Sequence, residues 1–324
     1  MQLPTVEDIQ QAAVRIKPYA HHTPVMTCTS LDELAEAHLF FKCENLQKVG
    51  AFKFRGACNT VFSLSDTEAQ RGVATHSSGN HGAAVALAAR LRGIPAHIVM
   101  PGNAPSVKRD AVAGYGGTII WCEPTQEARE STLANVVAET GATFIPPYND
   151  ARVIAGQGTA ALEFLEDVPD LDVIIAPVGG GGLISGTALT IAALSPTTRV
   201  IAAEPKGADD AYRSLQAGEI IPSGNPQTIA DGLRTSLGDL TFAIIRQHVE
   251  QIVTVSEEAI ARAMHLVWQR MKIIIEPSAA VPVAAVLDQQ TDAAGKRIGI
   301  ILSGGNVDLG NDSLHAMGGR SNLR

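Results

Sequence analysis

Short apolar runs alternate with amphipathic stretches through most of the chain. HLFFKCE, GVATHS, AHIVMP, GTIIWCE, ATFIPP, DVIIAPV, TRVIAAEP, QIVTVS and RIGIILSGG have the length and β-branched content of strands. Between them, SDTEAQR, NHGAAVALAARLR, APSVKRDAVAGY and TQEARESTLANVVAETG read as helices. This alternation predicts an α/β protein built on mostly parallel sheet. Many of the strands end in Gly, Ser, Asn or Glu, at the edge where open parallel sheets place their ligands. A βαβα run over residues 71–149 is compact enough to form a small domain inserted in a larger one made of residues 1–70 and 150–324. No internal repeat or low-complexity tract interrupts the pattern.

Composition narrows the function classes. A chain of 324 residues buries a large core and usually divides into two domains, which permits a site in the cleft between them. The net charge is −8 with no basic run, so nucleic acid and anionic membranes are poor partners. The polar, amphipathic start MQLPTVEDIQQAAVRI shows no signal peptide, and Gly, Pro or charge breaks every apolar segment well short of a membrane span. Cys28, Cys43, Cys58 and Cys122 form no C-x-x-C pair, which suits free thiols in a reducing compartment. A soluble, cytoplasmic protein is expected.

The segment KVGAFKFRGA places Lys53 between two phenylalanines, with Gly50 and Gly56 on either side and further cations at Lys48 and Arg55. A solvated surface lysine needs none of this. A lysine used as an amine nucleophile does, because desolvation or neighbouring cations keep it partly neutral.

Three other loops offer places for an anion. In VIIAPVGGGGLISGTALTIAAL a buried strand runs into Gly179, Gly180, Gly181 and Gly182 before a helix, so successive backbone N–H groups and the helix N-terminus converge on one point. The spacing excludes a P-loop and does not fit G-x-G-x-x-G, although Glu204 stands about where a ribose-binding acid of a dinucleotide site would. In THSSGNHG, the residues Ser77, Ser78, Gly79, Asn80 and His81 put hydroxyl, amide and backbone donors at a helix start, which suits a carboxylate; an N-cap alone needs only one of them. In IGIILSGGNVDL a strand ends in Ser303, Gly304, Gly305 and Asn306. Separately, AAEPKGADDAYRS offers Glu204, the Ala208 carbonyl and Asp210 as hard oxygen donors, a start for a Mg²⁺, Mn²⁺ or Ca²⁺ site completed by water.

Taken in order, K-x-G-A-F-K-x-R-G-A, S-S-G-N-H-G, G-G-G-G-L, A-A-E-P and S-G-G-N resemble the fold type II pyridoxal-phosphate enzymes over nearly the whole chain. The likeness is to the branch of serine racemase, serine/threonine dehydratase and threo-3-hydroxyaspartate dehydratase. It implies a tryptophan synthase beta-like fold of two open, twisted, mostly parallel sheets with helices on both faces and the active site in the interdomain cleft. It also implies that Lys53 forms the Schiff base with pyridoxal 5'-phosphate and that Phe52 shapes a slot for the ring. Gly179, Gly180, Gly181 and Gly182 would bind the phosphate, Asn80 the ring hydroxyl, and Ser303 would face the pyridine nitrogen. A serine there makes the ring a moderated electron sink, which favours loss of a β-substituent over a long-lived carbanion.

By the same resemblance Ser77, Ser78, Gly79 and His81 bind the substrate carboxylate, and Ser78 matches the hydroxyl that racemases place opposite the lysine. Arg129 matches an arginine near the substrate, and with Arg234 it is a candidate partner for a β-carboxylate. Glu204, Ala208 and Asp210 match the branch's metal loop. Homodimers are common in the family. Ala51 and Val49 stand where many relatives carry hydroxyls, which would weaken a nucleotide effector contacting that edge. After Asp308 too few residues remain for the regulatory domain of some threonine dehydratases.

The leading expectation is a dehydratase, an ammonia-lyase that eliminates water from serine, threonine or 3-hydroxyaspartate. Serine or aspartate racemisation on the same scaffold, alone or alongside elimination, is the runner-up. A transferase of the cysteine synthase kind matches the segments less closely. A non-catalytic nucleotide-binding module explains the Gly-rich loop and Glu204 but leaves Lys53 and SSGNHG without a purpose.

Overall fold

The structure is a computed structural model that describes residues 2–77, 79–104, 106–289 and 291–309. Along them run the strands β1 (Val25–Met26), β2 (His38–Lys42), β3 (Val73–His76), β4 (Ala96–Pro101), β5 (Thr118–Cys122), β6 (Thr143–Phe144), β7 (Val173–Pro177), β8 (Arg199–Pro205), β9 (Gln251–Val255) and β10 (Arg297–Ile301). The helices of the first half are α1 (Val6–Ile16), α2 (Thr29–Ala35), α3 (Lys53–Ser63), α4 (Asp66–Gln70), α5 (Asn80–Arg92), α6 (Ser106–Gly114), α7 (Gln126–Thr140) and α8 (Ala151–Asp167). Those of the second are α9 (Gly182–Leu194), α10 (Asp210–Ala217), α11 (Asp239–His248), α12 (Glu257–Met271) and α13 (Pro277–Leu287).

Six strands form one sheet in the order β1-β2-β10-β7-β8-β9, parallel except for the β1–β2 pair. The other four form a second sheet, β5-β4-β3-β6, parallel throughout. Each apolar run that reads as a strand in the sequence is one. The two-residue β1 escapes such a reading because two positions are too few to show a period.

Both sheets are covered on both faces, which is why β7 is buried along its whole length and reads as a continuous apolar run. Phe41, Ile175, Ile201 and Ile300 pack toward α12 and α13, while Ile174, Val200 and Ile301 pack toward α8, α9 and α11. In the second sheet, Val73, Ile98 and Met100 pack with α3 and α5, and Ala74 and Val99 pack with α7. The helix that begins at Lys53 thus lies in the layer over the second sheet, although it precedes that sheet in sequence.

Glycines bring α3, α8 and α9 into close contact. A Cβ on Gly156 would lie 2.6 Å from the Cα of Gly56, and one on Gly186 would lie 2.5 Å from the amide nitrogen of Gly158. This stack relates the start of α3, where Lys53 stands, to the start of α9, where the four glycines stand. A buried ionic cluster fixes the first turn of α3 further. The fully buried Arg55 donates from Nε to Glu44 Oε2 at 2.7 Å and from Nη1 and Nη2 to Glu163 at 2.7 Å each, and Lys42 Nζ lies 3.0 Å from Glu163.

Candidate active site

Lys53 is the first residue of α3, and the strand-end loops hold that helix start in place. The N–H of Phe52 donates to the Ser303 carbonyl at 3.0 Å, Ala51 bridges Gly304, and the N–H of Gly305 donates to the Gly50 carbonyl at 2.9 Å. In the same loop Val49 takes φ = 57°, a left-handed conformation that is strained for a β-branched residue. Lys53 is half-buried, its Nζ donates to the Pro147 carbonyl at 2.7 Å, and it lies 5.1 Å from the centroid of the Phe52 ring. Burial pushes its pKa down from 10.5 to about 8, with the charge of Glu276 acting in the opposite direction.

The four glycines follow β7 and lead into α9, with Gly181 as N-cap at φ = 88°. All four are buried, and no acceptor among the described residues pairs with the N–H groups of Gly179, Gly180 or Gly181. Side chains are excluded here. A Cβ on Gly180 would collide with the Tyr148 ring, one on Gly179 would lie 2.9 Å from the Leu233 Cα, and one on Gly181 would lie 2.7 Å from the Thr241 Cβ. Buried, unpaired N–H groups at a helix N-terminus, where the backbone must stay bare, suit a phosphate. The residues present therefore fit the phosphate of a pyridoxal phosphate.

The THSSGNHG loop joins β3 to α5 at the C-terminal edge of the second sheet. Ser77 is half-buried and its hydroxyl accepts the N–H of Gly79 at 3.3 Å. Ser78 lies outside the described residues. Asn80 donates from Nδ2 to both oxygens of Glu276, at 3.1 Å each, and accepts from Asn306 Nδ2 at 2.9 Å. His81 is buried, with its Nε2 3.0 Å from the Ile145 carbonyl and its Nδ1 unpartnered. Burial, and then the charge of Lys53, push its pKa down to about 3, so it is a neutral ring that donates from Nε2. Ser303 is buried at the end of β10.

Arg129 is half-buried on α7 with an unpartnered, buried Nε, and its charge acts on His76 at the end of β3. Arg234 is exposed, and its guanidinium is held on the Thr228 carbonyl. Glu204 and Asp210 are both buried. Glu204 accepts the N–H groups of Ala211 and Tyr212 at 3.0 and 2.9 Å, yet burial still pushes its pKa up to about 8. Burial pushes Asp210 up to about 6, a shift the Ser223 hydroxyl only partly offsets, and neither of its carboxylate oxygens has a well-formed hydrogen bond. Two desolvated carboxylates, those of Asp210 with both oxygens open, are hard oxygen donors that fit a divalent cation. Among the described residues no cluster of three or more His, Cys, Asp or Glu completes that set, which leaves the remaining positions to carbonyl and water.

Two groups at the site have no sequence expectation attached. Tyr148 covers Gly180. Glu276 is the buried N-cap of α13, and burial pushes its pKa up to about 7. The signal for Glu276 is a lone acid inside the apolar run KIIIEPSAAVPVAAVL, where a mere helix cap has no need to be buried.

Known proteins resemble this chain over nearly their full length. A protein from Paracoccus denitrificans (strain Pd 1222) named beta-hydroxyaspartate dehydratase is 56% identical over 309 residues, covering 95% of this chain and 98% of that protein. A Serine racemase from Dictyostelium discoideum is 53% identical over 309 residues, covering 94% of this chain and 95% of that protein. The solved structure of maize serine racemase superposes with a TM-score of 0.94 at 51% identity, covering 97% of this chain and 98% of that one. The family described as Pyridoxal-phosphate dependent enzyme matches residues 16–304, and the chain belongs to it.

Proposed function

We propose that the chain is a pyridoxal-phosphate-dependent dehydratase that eliminates water from a small β-hydroxy amino acid, with 3-hydroxyaspartate favoured over serine and threonine. The observation that carries this reading is Lys53, a desolvated amine bonded to the carbonyl of Pro147, next in sequence to Tyr148, whose ring packs on the bare glycine loop. Lys53 would hold the cofactor, the N–H groups of Gly179 to Gly182 its phosphate, Phe52 and Asn80 its ring, and Ser303 its ring nitrogen. When bound, the cofactor supplies an electron sink for the bond broken at the substrate α-carbon.

The chain's own residues do the rest. Ser77 and Gly79, at the N-terminus of α5, orient the substrate carboxylate, with Ser78 beside them and the neutral His81 ring bracing the loop from behind. Lys53 takes the α-proton, the β-carbon–oxygen bond breaks, and Lys53 passes that proton to the departing hydroxyl, which leaves as water. The released enamine hydrolyses to a keto acid and ammonia. Arg129, whose buried Nε has no partner among the described residues, is proposed to receive a β-carboxylate, a role that would favour 3-hydroxyaspartate, as does the likeness to the Paracoccus enzyme. Racemisation is the second reading, favoured by the likeness to the Dictyostelium protein, with Ser78 proposed as the second acid–base group.

Glu204, Ala208 and Asp210 are proposed to bind Mg²⁺, or Mn²⁺ or Ca²⁺, as a structural or activating ion. Adding Mg²⁺ to chelator-treated protein raises Tm, and Asp210→Asn removes most of that increment; an increment unchanged in Asp210→Asn sinks the site. A homodimer and a cytoplasmic location complete the proposal. The free cysteines support the second, and no helix among the described residues is long and apolar enough to cross a membrane. We further assign residues 71–149 to a small domain that closes on the cleft, supported by the Lys108–Asp231 ion pair and the Asn80–Glu276 bonds that span it.

The direct test is Lys53→Ala. The variant is expected to keep its fold, lose the cofactor's borohydride-sensitive absorption band and lose turnover by several orders of magnitude. Full turnover in Lys53→Ala overturns the assignment.

A further inference from the structure

We propose that Glu276 and Asn306 are positioning residues that lock the side-chain amide of Asn80 in one orientation, with its nitrogen as the donor presented to the cofactor ring. The proposal rests on the reading that Asn80 faces that ring. The bonds form one directed chain. Asn306 donates from Nδ2 to the carbonyl of the strained Val49 at 2.6 Å and to Asn80 Oδ1 at 2.9 Å, and Asn80 donates from Nδ2 to both Glu276 oxygens at 3.1 Å.

The Val49 carbonyl only accepts, so the group of Asn306 that faces it must be the nitrogen. Asn306 spends its two N–H groups on two carbonyl-type oxygens, so the group facing it must be the oxygen of Asn80. A flipped Asn80 would set oxygen against carboxylate and N–H against N–H, losing both ends at once. One Asn80 N–H is shared between the two Glu276 oxygens, and the other stays available to a ligand oxygen. The bond that Asn80 Oδ1 accepts from Asn306 polarises the amide and strengthens its free N–H as a donor.

The fold invests in this chain. Glu276 is buried, and its own N–H donates to the Gly304 carbonyl at 3.0 Å. Gly304 is bare where a Cβ would lie 2.8 Å from Glu276 Oε1, and Gly50 is bare where one would lie 2.6 Å from Asn306 Oδ1. The charged groups that act on Glu276 are Lys53 on α3, Lys108 on α6 and Asp231 on the turn before Arg234. A direct effect of Glu276 on Lys53 is therefore the alternative that the experiment must separate.

The test uses the holoenzymes of wild type, Asn80→Ala, Glu276→Gln, Asn306→Asp and the double variant Asn80→Ala/Glu276→Gln. The absorption spectrum of the bound cofactor is followed against pH, and the dissociation constant for pyridoxal phosphate is measured on each apoprotein. Glu276→Gln and Asn306→Asp are each expected to move the spectral midpoint in the same direction as Asn80→Ala. Each is also expected to weaken cofactor binding about tenfold, the value of one lost charge-assisted hydrogen bond. In the Asn80→Ala background, Glu276→Gln adds no further shift, because both act through one amide. Glu276→Asp, which keeps the charge, restores the midpoint. A shift in Asn80→Ala that neither Glu276→Gln nor Asn306→Asp reproduces, or shifts that add in the double variant, overturns the proposal alone. An Asn80→Ala spectrum identical to wild type overturns the placement of Asn80 at the ring and the proposal with it. Should Glu276→Gln fail to fold, Asn306→Asp carries the decision.

Discussion

A lysine that anchors a carbonyl cofactor and then moves a proton must be neutral for part of its cycle at working pH, and burial supplies this at Lys53 by pushing its pKa down to about 8. Only the neutral amine attacks a carbonyl. The rate at which apoprotein recombines with pyridoxal phosphate is therefore expected to rise with pH through about 8 and level off above it. A midpoint near the ordinary 10.5, read from the growth of the cofactor absorption band, contradicts the desolvated placement. The pressure toward neutrality at Lys53 is partly legible in its sequence, since phenylalanines and glycines flank it. Glu276, whose charge pulls the other way, stands far along the chain and reads as a helix cap; only the fold shows it buried beside Asn80.

At the scale of elements, the strands and the loops at their ends are legible because each carries its own local signal: an apolar run, then Gly, Ser or Asn. What holds those loops together is not local. Arg55 meets Glu44 from the end of β2 and Glu163 from α8, separations of 11 and 108 residues that no period or motif reports. The cluster fixes the first turn of α3 and so the direction of Lys53. Against the desolvation of burial, the hydrogen bonds and charge of Arg55 hold the Glu163 carboxyl below its ordinary range. Arg55→Met leaves the two acids without their shared cation, which is expected to cost about 3–5 kcal/mol in urea unfolding. A loss under about 1 kcal/mol would instead class the cluster with exposed ion pairs. The glycines of α3, α8 and α9 read as ordinary small residues in sequence, and only their close approach explains them.

At the scale of the whole molecule, hydrogen bonds join loops that follow strands of both sheets, Asn80 after β3 to Glu276 and Asn306, and Phe52 to Ser303 after β10. β3 brings the Ser77–His81 loop, β7 the glycines, β10 the Ser303–Gly305 loop, and α3 the lysine. The order of motifs along the chain made this convergence an expectation. The long-range bonds from Asn80 to Glu276 and from Lys108 to Asp231 required the fold. What the site does to a β-hydroxy amino acid is decided by the fate of the α-proton, which elimination and racemisation treat differently. The most direct measurement is proton NMR of the holoenzyme with Mg²⁺ in D₂O, offered the 3-hydroxyaspartate isomers, L-serine and L-threonine in turn, with the chirality of recovered amino acid resolved. The account predicts keto acid and ammonia, fastest from one 3-hydroxyaspartate isomer, with no α-deuterated enantiomer accumulating. A deuterated D-amino acid that builds up faster than keto acid contradicts it and makes racemisation the principal reaction.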